Sequence, residues 1–321
     1  MSRPVIFVLD PYHPEAISAL EALPSVECVL PPDSRKRSWQ DEADGLLIRS
    51  ETRLGDADFS QAKRLRVVVK QGQGIDNVDL EAARRHGVAV CNTPALNSEA
   101  VAELALGLAL NVARRVGELD RRIRAGETVV RSEWLGKSLY GRTLGVVGMG
   151  NIGKVVARKW ASAMEGKVIA YDPAVPGDYW DELGIQHTRA RDLDELLREA
   201  DVVTLHVPLT RGTRGLIGEA QLAAMKRDAI LINAARGGVV DEAALLETLR
   251  AGRLWGAALD ALEVEPPTVK AYGEGLLARQ NVIVTPHIGG STVDNMVRSG
   301  VAAVETVVGF LEGKEVVGLL T

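Results

Sequence analysis

The sequence predicts an α/β protein built from two parallel-sheet units. Short β-branched apolar segments alternate with amphipathic segments, the pattern of strands whose sheet is covered by helices on both faces. This alternation occurs in two series, and a long helical segment that begins near residue 98 separates them. The chain has 321 residues, a length that suits about two domains.

The first series occupies the N-terminal third of the chain. Its predicted strands are short and rich in valine, leucine and isoleucine, and its predicted helices place apolar residues on one face. Gly87 provides a stop for the second of these helices. The predicted strands are residues 5–9, 45–49, 65–70 and 88–92, and the predicted helices are residues 15–23 and 79–87.

The separating segment, "NSEAVAELALGLALNVARRVGELDRRIRAGE", is predicted to form one continuous helix. Ser98 and Glu99 provide its N-cap and an acidic first turn, and Gly126 marks its end. The apolar run is interrupted by Glu103 and Asn111 and is too short to span a bilayer. Because monomers rarely expose so apolar a surface, we expect residues 98–140 to contact a second copy of the chain.

The second series begins near residue 143 and contains six predicted strands. The predicted helix at residues 292–313 follows after this series is complete, so it could return to the first unit. The predicted strands are residues 143–150, 167–172, 201–208, 229–235, 255–260 and 281–287, and the predicted helices between them are residues 151–163, 192–199, 219–226 and 241–250.

Composition narrows the class of protein. Hydrophobic residues make up 46% and charged residues 25% of the chain, as in soluble globular proteins, and the net charge of −5 argues against a nucleic-acid surface. The two cysteines, Cys28 and Cys91, can form neither a disulfide framework nor a multi-cysteine metal site. One bridge stays open as an alternative, but two free thiols are the simpler interpretation. With no signal-peptide pattern at the start, we expect a cytoplasmic protein without membrane or metal partners.

A glycine motif, "VVGMGNIGK" at residues 146–154, predicts a dinucleotide-binding turn. Gly148, Gly150 and Gly153 follow a predicted strand and open a predicted helix, which is the context this motif requires. The helix N-terminus would bind the pyrophosphate. Asp172 ends the next strand, 19 residues after Gly153. Its carboxylate would accept hydrogen bonds from ribose hydroxyls and repel a 2′-phosphate, so NAD is favoured over NADP.

Polar residues directly after later strands of the second series are candidates for catalysis, because ligands bind at the carboxyl ends of parallel strands. Arg236 follows the predicted strand 229–235, Asp260 and His287 end their predicted strands, and Glu265 comes five residues after Asp260. Arg236 would hold a carboxylate and an adjacent carbonyl in a bidentate grip. His287 would give a proton to the carbonyl oxygen while hydride arrives from nicotinamide, and Glu265 would orient the imidazole and favour its charged form. Each side chain alone also fits an ordinary structural role.

With these motifs, the chain resembles the D-isomer-specific 2-hydroxyacid dehydrogenases, and within them the branch that is similar to D-3-phosphoglycerate dehydrogenase. The resemblance is nearly full-length. It is carried by the segments "LLIRSETRL", "GQGIDNVDLEAARRHGVAVCNTP", "NSEAVAELALGLAL", "TLGVVGMGNIGKVVAR", "PLTRGTRGLIG", "LINAARGGVVDEAALLETLRAGRLWGAALDALEVEP" and "NVIVTPHIGGST".

The resemblance implies two Rossmann-like lobes with a cleft between them. A flavodoxin-like substrate lobe would comprise residues 1–97 and 291–321, and an NAD-binding Rossmann lobe residues 98–290. It also implies that Arg236, Glu265 and His287 are the catalytic residues. The positions that would line the NAD site are Gly148, Gly150, Asn151, Ile152, Gly153, Asp172, His206, Pro208, Thr213, Ala234, Ala235, Asp260, Gly289 and Gly290.

The implied substrate is a small D-2-hydroxy acid or its 2-keto acid, such as 3-phosphoglycerate, glyoxylate or hydroxypyruvate. The residues implied to bind it are Arg49, Ser50, Lys70, Gln73 and Gly74, together with Arg236 and His287. Phosphoglycerate-type relatives often have arginine in place of Lys70. A lysine is a point charge without the guanidinium fork, which weakens the case for a phosphorylated substrate.

Other proteins on the same scaffold remain alternatives. Formate-type enzymes have glutamine in place of Glu265, and phosphite-type enzymes have lysine in place of Gln73, which counts against both. NAD(H)-sensing corepressors keep the Rossmann site, but usually carry a long disordered tail. The chain ends soon after its last predicted helix, so we expect no C-terminal regulatory domain. A homodimer is expected, since the family is commonly dimeric.

Overall fold

A computed structural model describes residues 3–176, 178–181, 184–273 and 275–321. The chain forms two compact units. Unit 1 comprises Met1–Asn97 and Gly290–Thr321, and unit 2 comprises Ser98–Gly289. Within the described ranges, no helix has both the length and the apolar character needed to cross a membrane.

Unit 1 is built on a parallel sheet of five described strands: β1 (Val5–Val8), β2 (Glu27–Val29), β3 (Gly45–Ile48), β4 (Val67–Lys70) and β5 (Ala89–Asn92). Their order across the sheet is β2-β1-β3-β4-β5, which is the flavodoxin-like order. The sequence did not predict β2, whose three residues are too few to show an alternating pattern.

Helices cover both faces of this sheet: α1 (Pro14–Glu21), α2 (Trp39–Glu42), α3 (Asp56–Gln61), α4 (Leu80–Arg85) and α12 (Val293–Leu311). The α12 helix packs its valines against β3 and β4. A Cβ on Gly45 would lie 2.8 Å from Val307 Cγ2, so this strand residue must be glycine for the helix to approach so closely.

Unit 2 is built on a second parallel sheet. Its described strands are β6 (Leu144–Val147), β7 (Val168–Tyr171), β8 (Thr188–Arg189), β9 (Val202–Leu205), β10 (Ile230–Asn233), β11 (Gly256–Leu259) and β12 (Val282–Val284). The order is β12-β11-β10-β9-β6-β7-β8, in which the chain moves from β6 to one side and then returns to β9 on the other. This is a Rossmann topology with its switch point between β6 and β9. The six predicted strands omitted β8, because "TR" has no apolar signal.

The helices of unit 2 are α5 (Ser98–Arg114), α6 (Val116–Arg124), α7 (Asn151–Met164), α8 (Leu193–Glu199), α9 (Glu219–Ala224), α10 (Glu242–Arg250) and α11 (Val269–Tyr272). The prediction of one continuous helix from residue 98 to 126 was wrong, because the helix breaks at Arg115, whose φ is +57°. Asn111 Oδ1 accepts the Gly117 N–H at 2.8 Å. This backbone N–H would donate to a helix carbonyl if the helix continued, and here it donates to a side chain.

Candidate active site

The candidate residues of unit 2 follow the carboxyl ends of its parallel strands. Since parallel strands end at the same edge of a sheet, these residues share one edge. The glycine turn follows β6 and Asp172 follows β7, while Arg236, Asp260 and His287 come after β10, β11 and β12.

The glycine turn has the geometry of a phosphate-binding turn. A Cβ on Gly148, whose φ is +99°, would lie 2.6 Å from His206 O, and a Cβ on Gly153 would collide with Gly148 O. Gly150 faces open space on the Cβ side and begins α7 at Asn151 without a side-chain cap. The first N–H groups of a 14-residue helix are thus left for a ligand, which fits a pyrophosphate.

Asp172 is held beside this turn. Its Oδ2 accepts the Met149 N–H at 2.9 Å, and its Oδ1 accepts the Ala174 N–H at 2.9 Å. About half of the carboxylate's lone pairs are then left for other donors. Arg189 lies close by, but its guanidinium donates to the backbone oxygens of Asp172, Val175 and Pro176.

His206 lies next to the glycine turn, directly after β9. Its Nε2 is 2.9 Å from Thr204 Oγ1, and its Nδ1 is buried without a hydrogen-bond partner among the described residues. Burial lowers the pKa of His206 to about 3, so the imidazole is neutral at physiological pH. Pro208 and Thr213 lie in the loop that follows, where Thr213 Oγ1 donates to Pro208 O.

The turn that carries Arg236 is fixed by a buried asparagine. Asn233, the last residue of β10, donates from Nδ2 to Arg236 O at 2.9 Å and to Ala261 O at 3.2 Å, and its Oδ1 accepts the Ala235 N–H at 3.1 Å. Ala234 and Ala235 in this turn are buried. Asn233 therefore sets the direction in which Arg236 leaves the strand.

The turn that carries His287 is clamped by Asp260, which is 2% exposed. Asp260 Oδ1 accepts from Thr285 Oγ1 at 2.7 Å and from the Ile288 N–H at 2.8 Å, and Oδ2 accepts from the Gly289 N–H at 2.8 Å. His287 itself has a φ of +55°, a region that non-glycine residues rarely adopt, at a cost on the order of 1–3 kcal/mol. The clamp offsets this strain.

The imidazole of His287 and the carboxylate of Glu265 are hydrogen-bonded. His287 Nδ1 lies 2.9 Å from Glu265 Oε2 and 3.1 Å from Oε1, and Glu265 Oε1 also accepts the Leu262 N–H at 3.2 Å. Burial by itself raises the pKa of Glu265, but the hydrogen bond and charge of His287, the Leu262 N–H and the charge of Arg236 outweigh it and lower the pKa. The structure therefore brings Arg236, Glu265 and His287 together at one sheet edge.

In unit 1, the loop after β3 is held by the buried Asp10 and the half-buried Asn77. The Arg49 N–H donates to Asp10 Oδ2 at 2.5 Å, and Asn77 Nδ2 donates to Arg49 O at 2.7 Å. The Arg49 guanidinium donates to Pro11 O at 3.0 Å and approaches Met296 Sδ at 3.8 Å. Ser50 is exposed. Arg49 forms no ion pair with any described residue.

The glycine-rich loop after β4 contains Lys70, Gln73 and Gly74. Lys70 is buried, and a Cβ on Gly72, whose φ is +106°, would lie 3.1 Å from Lys70 Nζ. The Gly72 N–H donates to Thr93 Oγ1 at 2.7 Å. Gln73 Oε1 is buried without a partner among the described residues. Gly290, predicted in the NAD site, belongs to unit 1, whereas Gly289 belongs to unit 2.

Sequence reasoning missed the residues that fix these turns. Asn233 stands at a strand end, as do the predicted residues, but an asparagine there carries no catalytic signal. Thr285 and Asp10 also carry no sequence signal for their roles, because their hydrogen-bond partners are distant in the sequence.

Comparison with known proteins identifies the family. Residues 106–289 match the family model described as "D-isomer specific 2-hydroxyacid dehydrogenase, NAD binding domain". The chain is 40% identical over 311 residues to the D-3-phosphoglycerate dehydrogenase of Methanocaldococcus jannaschii, covering 96% of this chain and 58% of that protein. It is 40% identical over 324 residues to the glyoxylate reductase of Aeropyrum pernix, covering 98% of this chain and 95% of that protein.

A solved structure supports the same family assignment. The D-lactate dehydrogenase of Aquifex aeolicus, complexed with NAD and lactic acid, superposes with a TM-score of 0.81 at 31% identity, covering 96% of each chain. Unit 2 is thus the NAD-binding domain of this family, and its glycine turn and Asp172 fit that cofactor. The chain belongs to the D-isomer-specific 2-hydroxyacid dehydrogenase family.

Proposed function

We propose that this chain is an NAD-dependent dehydrogenase that interconverts a D-2-hydroxy acid and its 2-keto acid. The observation that carries the proposal is the 2.9 Å pair between His287 Nδ1 and Glu265 Oε2 beside Arg236. This pair lies at the sheet edge that also holds the glycine turn. A proton donor, an anion-binding cation and a dinucleotide turn at one edge are the groups that hydride transfer to a carbonyl requires.

Each residue has a role in the proposed reaction. Gly148, Gly150 and Asp172 would hold NAD, which when bound supplies or accepts the hydride. Arg236 binds the substrate carboxylate through its planar guanidinium. His287 delivers a proton from Nε2 to the carbonyl oxygen of the keto acid, or removes it from the hydroxy acid. No described residue is a hydrogen-bond partner of Nε2, so this nitrogen is left for the substrate.

Glu265 acts on the other ring nitrogen. Its carboxylate faces Nδ1, so it orients the ring with Nε2 directed away from the pair and stabilises the imidazolium. Because Glu265 has a lowered pKa, it is ionised throughout the physiological range. The pair is therefore suited to hold a proton until the carbonyl oxygen develops negative charge.

We also propose that residues of unit 1 take part in substrate binding. Arg49 carries a charge without an ion-pair partner among the described residues. This cation and the Gln73–Gly74 backbone favour a small anionic hydroxy acid. The phosphoglycerate dehydrogenase and glyoxylate reductase names of the relatives point to the same class.

A substrate panel tests the proposed function. We expect NADH oxidation with one or more of glyoxylate, hydroxypyruvate, 3-phosphohydroxypyruvate and pyruvate, and weaker activity with NADPH. The reverse reaction should use the D- and not the L-hydroxy acid. The His287→Gln variant is the control, and should still bind NADH in a fluorescence titration while losing turnover. If the wild-type chain binds NADH but reduces none of these acids, a cofactor-sensing role replaces the dehydrogenase.

We further propose a homodimer formed through residues 98–140. Large hydrophobic side chains are exposed along this segment, among them Ile123 at 60% and Leu135 at 70%. The apolar face of α5 packs within unit 2, so the proposal rests on these exposed side chains, which an interface would cover. We expect light scattering to give twice the chain mass, and Ile123→Asp with Leu135→Asp to give the monomer. Val317→Asp is the matched control, because Val317 is 74% exposed but lies outside the segment. A wild-type monomer would contradict the proposal.

A cytoplasmic location is proposed on the cysteine chemistry. Cys28 and Cys91 are both free thiols, as is usual in a reducing compartment.

A further inference from the structure

The loop that carries Glu265 is held by its own backbone N–H groups. Three consecutive N–H groups each donate to a side chain, and two of the acceptors come from other elements. The bonds run from Leu262 to Glu265 Oε1 at 3.2 Å, from Glu263 to Glu242 Oε1 at 2.8 Å, and from Val264 to Tyr272 Oη at 3.0 Å.

The two outside acceptors lie close enough to interact, since the negative charge of Glu242 contributes to raising the pKa of Tyr272. Burial is the larger cause and raises that pKa to about 12, so the hydroxyl keeps its proton and offers its oxygen to the Val264 N–H. Glu242 opens α10 and Tyr272 ends α11, so the pair ties two separate elements to one loop.

Little else fixes this part of the loop. Leu262 is buried, but Val264 is 50% exposed and Glu263 is exposed as well, so side-chain packing does not restrain them. The loop backbone also lies against the turn of Arg236, since a Cβ on Gly237 would lie 2.6 Å from Glu263 N. A shift of the loop would therefore displace both Glu265 and the turn that presents Arg236.

We propose that Glu242 and Tyr272 are positioning residues for the Glu265–His287 pair. No hydrogen bond or ion pair joins either residue to His287, so they act through the backbone of residues 263 and 264. The inference rests on the proposed function for its kinetic consequence. Without the two acceptors, the loop loses two of its three hydrogen bonds, and Glu265 no longer has a fixed position against Nδ1.

Kinetics provide the test. We expect Tyr272→Phe and Glu242→Ala each to lower kcat for keto-acid reduction about tenfold with KM within about twofold, because misplacing a group near the reacting atoms mainly affects the transition state. Glu242→Gln keeps an acceptor oxygen for Glu263 and should restore most of kcat.

The control is Glu195→Ala. Glu195 Oε2 accepts the Arg191 N–H at 2.7 Å, so the substitution also removes a carboxylate that holds a backbone N–H, but away from the candidate catalytic residues. We expect kcat and the pH profile to stay unchanged. If Tyr272→Phe behaves like this control while the wild type is active, the positioning inference is wrong.

A second measurement separates this inference from the proposed function. The imidazole NMR signals of His287, assigned with His287→Gln, report the Glu265 contact whether or not the chain turns over a keto acid. A change in these signals in Tyr272→Phe supports the inference even if the substrate panel fails. Unchanged signals overturn the inference even if the panel succeeds.

Discussion

The charge of Glu265 is the feature whose removal is most informative. In Glu265→Gln, the side chain keeps its shape and loses its charge. If the amide oxygen takes the place of Oε1, it still accepts from Leu262, but the amide nitrogen then replaces Oε2 and faces His287 Nδ1 at 2.9 Å. A protonated imidazole would thus keep only the neutral amide oxygen, 3.1 Å from Nδ1, as an acceptor and would meet a donor in place of Oε2.

The magnitude follows from the exposure of the pair. A hydrogen bond to a charged group contributes about 1.5–3 kcal/mol. The His287 and Glu265 side chains are 40% and 37% exposed, so solvent screening reduces this to about 1.4 kcal/mol. Since about 1.4 kcal/mol is a factor of ten, we expect kcat/KM for keto-acid reduction at neutral pH to fall about tenfold.

The assay is NADH oxidation across the pH range with the best acid of the panel. Glu263→Gln is the matched control, because it makes the same change two residues away on an exposed side chain. The lowered pKa of Glu265 means that the wild-type pair is complete above the ordinary glutamate pKa of about 4.3 and is lost as the pH falls through the lowered value. A Glu265→Gln profile that overlays those of the wild type and Glu263→Gln would refute the reasoning.

Four further outcomes are expected. Arg236→Ala should lower kcat/KM at least 100-fold, mostly through lost carboxylate binding, and full retention of kcat/KM would contradict this role. Asp172→Ala should lower kcat/KM for NADH about tenfold and raise it for NADPH; a parallel change for both cofactors would count against ribose recognition. Asp260→Asn should lower kcat about tenfold in steady-state assays. The amide NH₂ of asparagine is a donor, so it cannot accept the hydrogen bond from the backbone N–H that it would face. Burial raises the pKa of Glu118, but its arginine partners outweigh this and lower it, so thermal unfolding should show Glu118→Gln destabilised by about 2 kcal/mol at neutral pH, with the difference disappearing as the pH falls through the lowered pKa.

The sequence could predict Arg236, Asp260 and His287 because each stands at or just after the end of a buried strand, and Glu265 lies in the loop five residues after Asp260. The strands of a parallel sheet are continuous apolar runs, so their ends are visible as the first polar residue. Asp172 was found from its spacing after the glycine motif, and His287 from its place after "VIVTP". These predictions needed only local patterns, and the structure brings Arg236, Glu265 and His287 together.

The helix break and the positioning residues could not be predicted in this way. The break at Arg115 depends on an Asn111 side chain that takes the Gly117 N–H, and asparagine within an apolar helical pattern does not by itself mark a stop. Glu242 looked like an ordinary acidic residue at a helix start. Its contact with the loop of Glu265 arises only when α10, α11 and that loop pack together.

Three carboxylates of unit 2 show that the position of a residue in the sequence can locate it in a site but does not define its role there. A carboxylate offers about four lone pairs. Asp260 accepts from three donors of the His287 turn, so a substitution there acts through loop geometry. Asp172 accepts two backbone N–H groups, and the lone pairs left over suit ribose hydroxyls. Glu265 accepts one backbone N–H and a ring nitrogen that can itself carry a proton, which suits proton transfer. The number and kind of donors that each turn places around the carboxylate, and not the residue type, therefore lead us to propose structural support for Asp260, cofactor binding for Asp172 and proton chemistry for Glu265.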